Sequence, residues 1–250
     1  MTPEHKAVYD SVKDIEAEFL LVYEKARKRI LNYLDIFNTE NGRFEINSFN
    51  IEKASIFFNE YKKILIESGY NEFLKKNQKS DIALVKHLQK IQENSDFPLI
   101  FTQKDKNVIK GFELLDFKKL QMLGENSANI LSRGLISNVI LGESLSKTRK
   151  SLESALSSKL KGYVETYINT SKHLLFQEVH NLSAENQDDD IFWQYVGPAD
   201  DKTRPECSWA LKKNVFTDIE KQNFISKYGV RFNCRHVFIE VTEDFYNERK

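Results

Sequence analysis

The chain has 250 residues, and its 37 Lys and Arg are balanced by 37 Asp and Glu. At roughly 100–200 residues per domain this makes one or two domains, and 40% hydrophobic with 12% aromatic residues excludes wholesale disorder. Zero net charge argues against a generic nucleic-acid binder, whose affinity comes from Lys and Arg displacing counterions.

No run of about 18 apolar residues occurs, so no membrane-spanning helix and no membrane partner are expected. The opening MTPEHKAVYD lacks the apolar stretch of a signal peptide, which predicts a chain that stays in the cell that makes it. Two cysteines are too few for a disulfide scaffold.

Residues Val8, Val12, Ile15, Phe19, Val22, Ala26, Ile30, Tyr33 and Phe37 are spaced mostly by alternating fours and threes. That spacing predicts one stripe of a long helix, packed in a bundle. The polar stretch 38–50, with its Asn-Gly step, reads as a loop. A second helix follows with Ile51, Ala54, Phe58, Tyr61 and Leu65 on one face, punctuated by Gly69. A third is expected near 81–93, carrying Ile82, Val85, Leu88 and Ile91, and a fourth over about 105–123, carrying Val108, Phe112, Leu115 and Leu120. His87 reads as a solvated or core histidine. Residues 1–124 thus form a helical N-terminal region.

From residue 125 the composition turns to small polar residues, and 125–184 reads as a second helical segment. Ile130, Leu131, Leu135, Val139 and Ile140 make a short amphipathic helix ending at Gly142, and Ser144 can cap the next. A third begins near Ser157 and carries Leu160, Val164, Tyr167, Ile168, Ser171 and Leu175. Lys147, Arg149, Lys150, Lys159, Lys161 and Lys172 make this segment modestly basic. It could touch DNA, although a solvated helix face explains the charges as well.

An acidic connector, SAENQDDD, leads to residues 190–250, which hold both tryptophans and both cysteines. Ile191–Val196 reads as a strand ending at Gly197-Pro198. Thr203 with Glu206, and Thr217 with Glu220, read as capping boxes opening two short helices, the second closed by Gly229. Val215-Phe216 and Phe232–Val241 read as further strands. The expected fold is therefore mainly α, an N-terminal helical bundle with long helices followed by a small α+β C-terminal domain.

The residues with chemical potential are Asp200, Asp201, Thr203, Arg204 and Cys207, then Asn233, Cys234, Arg235 and His236. Residues two apart on a strand face the same way, so Cys234 and His236 should project together. Cys207 falls in the first turn of a helix, where the dipole and free amides favour a thiolate. Several readings stand open. Cys207, Cys234 and His236 could ligate zinc, with Asp200, Asp201 or water as the fourth ligand. The two cysteines could form a disulfide. Cys207 could act as a nucleophile with His236 as its base. Or the group is a buried structural cluster, with Asp200 in an Asx turn paired to Arg204 or Arg235 and with no cofactor.

The stretch YVGPADDKTRPECSWALKKNVFT, followed after a short helix by FNCRHVFIEV, resembles the tail motif of phage Mu F-like head-morphogenesis proteins. The family pattern is an aromatic strand, an Asp, Thr-Arg, a Cys or His, and a Cys-Arg-Cys or Cys-Arg-His close. Asp200, Thr203, Arg204, Cys207, Cys234, Arg235 and His236 match it. Gly134-Leu135, Gly142-Glu-Ser144 and the helix with Tyr167, Asn169 and Ser171 fit the part before it, so the likeness covers about 125–241. Two features depart from it. Leu211-Lys212-Lys213 stands where the family often has a Gly, and a helix over Ile219–Tyr228 with Gly-Val-Arg-Phe replaces a Pro-rich stretch before the closing Cys.

The resemblance implies a minor head protein of a tailed phage or prophage, made in the bacterial cytoplasm and carried in the virion. It implies a portal-associated protein acting in capsid assembly and DNA packaging or delivery. Its expected partners are the phage portal protein, capsid or scaffold protein, and phage DNA as a weak contact. It implies no enzymatic activity. The contrasting reading of the same residues is a zinc-binding hydrolase or effector-type enzyme.

Overall fold

A computed structural model describes residues 2–187, 191–229 and 234–250. The chain is mainly helical, with long helices in its N-terminal part and a small sheet near its C-terminus. Helix α1 spans Pro3–Asn32 and continues as a 3-10 turn over Tyr33–Ile36. Its predicted stripe is the buried one: Val8, Val12, Ile15, Phe19, Ala26, Ile30 and Phe37 are all buried, joined by Tyr23 and Leu34.

The 38–50 segment is more ordered than a loop. Strands β1 (Thr39–Glu40) and β2 (Arg43–Phe44) pair across Asn41 and Gly42, both of positive φ, which is the turn an Asn-Gly step favours. The side chain of Asn47 then accepts from the Asn50 amide and caps helix α2 (Ser48–Glu67). The buried seam of α2 runs through Ala54, Phe57, Tyr61, Ile64 and Leu65. Ile51 is exposed and Phe58 only half-buried, so the expected face is rotated by about one residue.

Helix α3 begins at Tyr70, directly after Gly69 at φ 102°, and runs to Gln92, eleven residues ahead of the predicted start at 81. Its His87 is exposed, as are Ile82 on α3 and Leu115 on the next helix, both expected to face inward. Helix α4 (Gln103–Ile140) absorbs both the predicted 105–123 helix and the one around residues 130–140. Gly124 and Gly134 lie inside it without breaking it, because an isolated glycine only weakens a helix. It stops at Gly142, whose φ is +57°.

Ser144 caps α5 (Leu145–Ala155), accepting from the Lys147 amide. A π-turn over Leu156–Lys161 carries the chain into α6 (Gly162–Ala184) without the expected break near Ser157. Among the described residues, no helix is long and apolar enough to cross a membrane.

The C-terminal sheet has the order β4-β3-β5, all antiparallel. Strand β3 is Phe192–Val196, β4 is Val215–Phe216 and β5 is Val237–Val241. Helix α7 (Pro205–Lys213) joins β3 to β4, and α8 (Asp218–Tyr228) follows β4. The Thr217–Glu220 capping box is formed in both directions, and Gly229 closes α8 at φ 67°. The last strand was expected over 232–241. Its first residues and the Gly-Val-Arg-Phe stretch fall largely on 230–233, outside the described residues, and Cys234, Arg235 and His236 precede β5 as irregular chain. A final helix, α9 (Glu243–Arg249), escaped the periodicity reading; Thr242 caps it, and its Tyr246 stacks on Phe192 with centroids 4.4 Å apart.

Two compact units share the chain. Helices α1, α3, α4 and α6 each contribute a segment to both. One unit comprises Ile15–Asn77 and Phe117–Glu165, and its core is aliphatic and aromatic: Phe19, Phe57, Tyr61, Phe73, Leu120, Leu131 and Leu156. The other comprises Met1–Asp14, Gln78–Asp116 and Thr166–Lys250 and contains the sheet. In it α6 is buried continuously from Ile168 to His173. Its apolar centre is Trp193, Tyr195, Cys207, Ala210, Phe216, Phe224 and Phe238.

Candidate functional site

The sheet places the motif. Within β3, Trp193 and Tyr195 point inward and their neighbours are half-buried, the alternation a one-sided strand requires. At its end Gly197 lies flat against the ring of His236: a Cβ there would stand 2.3 Å from His236 Cδ2. No side chain fits, so the position needs glycine for close approach.

Pro198 ends the strand, and its carbonyl accepts from His236 Nε2 at 2.9 Å and from Thr203 Oγ1 at 2.9 Å. A carbonyl only accepts, so Nε2 carries the imidazole proton and the remaining ring lone pair is on Nδ1.

Asp200 makes the expected Asx turn, its Oδ1 accepting from the Lys202 amide at 3.0 Å. Thr203 Oγ1 accepts from the Asp200 amide at 3.0 Å. The threonine therefore braces this turn and does not cap α7, contrary to the capping-box expectation. The N-cap is Arg204, held extended at φ −68° and ψ 153° by the following Pro205. Of the two candidate arginines, Arg235 forms the bidentate pair with Asp200, at 2.6 and 2.7 Å. That guanidinium holds the Asp200 carboxyl well below the usual range. With both oxygens engaged, Asp200 does not serve as a fourth metal ligand, and Asp201 is exposed on the turn.

Three donors converge. Cys207 is the third residue of α7 and is buried, and Tyr195 donates its hydroxyl to the Cys207 sulfur at 3.4 Å. Cys234 and His236 approach from the chain entering β5. One ligand atom from each of Cys207, Cys234 and His236 lies within 4.8 Å of the other two. Both cysteines are free thiols. The contact between the two thiols pulls the Cys234 pKa down and, together with burial, pushes that of Cys207 up.

Other residues complete the surroundings. The Tyr195 ring stacks parallel on His236, with centroids 5.4 Å apart and planes 5° apart. His5, from the start of α1, donates Nε2–H to the Arg235 carbonyl at 2.9 Å. His173 of α6 lines a small cavity of about 50 Å³ together with Thr170, Gln177, Cys234 and His236. Burial lowers the His173 pKa to about 4, so it is neutral at pH 7.

Tyr195 and Gly197 were within reach of sequence reasoning, since strand alternation aims Tyr195 inward and the Gly-Pro step ends the strand. His5 and His173 carried no such signal: His5 is 230 residues from its partner.

The basic stretch proves to be divided. Lys147 pairs with Glu143 at 2.9 Å, Arg149 pairs with Asp35, and Lys161 lies 3.9 Å from Glu165. Lys172 is fully buried on Asp81 and leaves the candidate DNA-facing set altogether. No family model, curated protein or solved structure matches this chain.

Proposed function

We propose that this protein is a minor head protein of a tailed phage or prophage, associated with the portal vertex and acting in capsid assembly and DNA packaging or delivery. The observation that carries the reading is the convergence of the motif residues. Asp200 clamps Arg235, Thr203 braces the turn between β3 and α7, and Cys207 meets Cys234 and His236, from stretches 35 residues apart at the Asp–Arg pair. A tail motif that closes on itself fixes the shape of a small α+β unit, and that shape is what a docking protein presents to an assembly.

Cys207 is disfavoured as a nucleophile. Its thiol is pushed up, whereas a nucleophilic cysteine needs a lowered pKa. Contact with protein is favoured over contact with DNA by the pairing of Lys147, Arg149 and Lys161 and the burial of Lys172.

The test is co-expression with the cognate portal protein, followed by sizing of the mixture. Co-elution with the portal ring is expected. Separate elution at micromolar concentration, with the protein also missing from purified heads, overturns the assignment.

A further inference from the structure

We infer that Cys207, Cys234 and His236 bind one Zn²⁺ ion, with a water molecule in the fourth position. The donor set is two thiols and one imidazole, the soft and borderline ligands zinc prefers. Their ligand atoms already lie within 4.8 Å of one another. Zinc–sulfur bonds of about 2.3 Å and zinc–nitrogen bonds of about 2.1 Å at tetrahedral angles bring such atoms to roughly 3.5–3.8 Å. Closing the site thus needs movements of about an ångström at most, shared among three side chains.

The histidine is fixed before any metal arrives. Its Nε2–H is held by the Pro198 carbonyl at 2.9 Å, which leaves Nδ1 as the donor and supplies the outer hydrogen bond that metal-bound histidines characteristically make. Tyr195 stacks on one side of the ring, and Gly197 comes so close that a methyl group there would collide with it. Cys207 is held in the first turn of α7, a nine-residue helix, which fixes where its sulfur stands.

The fourth position follows by elimination and by space. Asp200 is committed to Arg235. The cavity of about 50 Å³ that borders Cys234 and His236 exceeds the volume one water needs, roughly 10–15 Å³. Binding displaces the thiol protons into solvent, and the ion ties α7 to the chain entering β5. This inference does not rest on the phage-head reading, since its readout is metal content and not portal binding.

The experiment uses the full chain, purified from bacterial cytoplasm without chelator. Metal analysis is expected to return one zinc per chain. Replacement by Co²⁺ is expected to give the visible bands of a tetrahedral ion and a near-ultraviolet sulfur-to-cobalt charge-transfer band. Cys234→Ser and His236→Gln should each abolish both signals.

Because either change could also unfold the tail, Gly197→Ala serves as the second variant. It touches no donor atom but displaces the His236 ring, and it should weaken zinc binding by about 10- to 100-fold while the helical circular dichroism is retained. Metal-free protein with two reactive thiols and no cobalt charge-transfer band would overturn the site. So would a Cys207–Cys234 disulfide in protein made in a reducing cytoplasm, or unchanged zinc affinity in folded Gly197→Ala.

Discussion

The two units solve the same packing problem with different materials. In the unit of residues 15–77 and 117–165, charge stays outside. Arg27 pairs with Glu153, Arg29 with Glu67, and Lys76 with Glu18, all at the surface. Its interior is mostly rings and aliphatic chains, with Phe19 and Phe73 at 5.3 Å and the polar ends of Tyr61 and Tyr70 satisfied by Ser127 and the Leu120 carbonyl, and the polar side chains it buries, such as Asn50 and Asn77, are neutral.

In the other unit, charge goes inside. Lys172 is fully buried against Asp81, with Ser80 at 3.2 Å, and Asp116 accepts from Tyr167 at 2.8 Å. His180 and Glu240 form a fully buried hydrogen-bonded contact. Lys221 sits over the Trp193 ring at 2.9 Å and donates to Asn181. Burial pushes Asp81 up to about 6 and raises Asp116 and Glu113 as well, with Lys172 opposing the shift at all three and Lys110 opposing it more strongly at Glu113. An apolar core tolerates loss by degrees. A buried ionic one depends on each member, because an uncompensated charge has no water to turn to.

The sharpest way to break this contrast is Lys172→Met. It fills similar volume but strands Asp81 beside two other buried acids. Urea denaturation at pH 7 should show a loss of about 3–5 kcal/mol. Adding Asp81→Leu should recover part of that loss, since the pair acts as a unit. A loss under about 1 kcal/mol would mean that water reaches the pair and that the two cores do not differ in kind.

The apolar unit should yield to shape and not to charge. Gly124 inside α4 faces Tyr70, and a Cβ there would lie 2.9 Å from the Tyr70 ring. Gly124→Ala gains helix propensity of about 1 kcal/mol but overpacks the core, so a net loss of roughly 1–2 kcal/mol is expected in the same denaturation experiment. Net stabilisation would show that the Tyr70 ring can shift away without losing its bond to Leu120.

The smallest effect belongs to the surface pairs. Arg29→Ala removes the partner of Glu67, both half-exposed, and should change stability by less than about 1 kcal/mol, with the difference fading in added salt. A loss comparable to that of Lys172→Met would place a surface pair and a buried pair on one scale and erase the contrast.

Sequence reasoning reached these features unevenly. The helical stripe of α1, the stops at Gly69, Gly142 and Gly229, the caps at Ser144 and Thr217 and the strands of the tail were all legible. Each depends on residues within about four positions of one another, where helix and strand periods act. The rotation of the α2 seam and the exposure of Ile82 and Leu115 were not, because several apolar residues compete for the inward face and neighbouring helices choose among them.

Lys172 shows the deeper limit. By spacing it belonged to a basic stretch with Lys159 and Lys161, yet its partner Asp81 is 91 residues away, on a helix whose own pattern gives no hint of it. The same holds for His5 and His173 beside the motif. The chain by itself determined the helical class and most of the helices and tail strands, but not the β1–β2 hairpin, the continuity of α4 or helix α9. The tertiary structure alone decided which charges were buried. Burial of an ion is settled by what faces it from distant segments, and no local period encodes that.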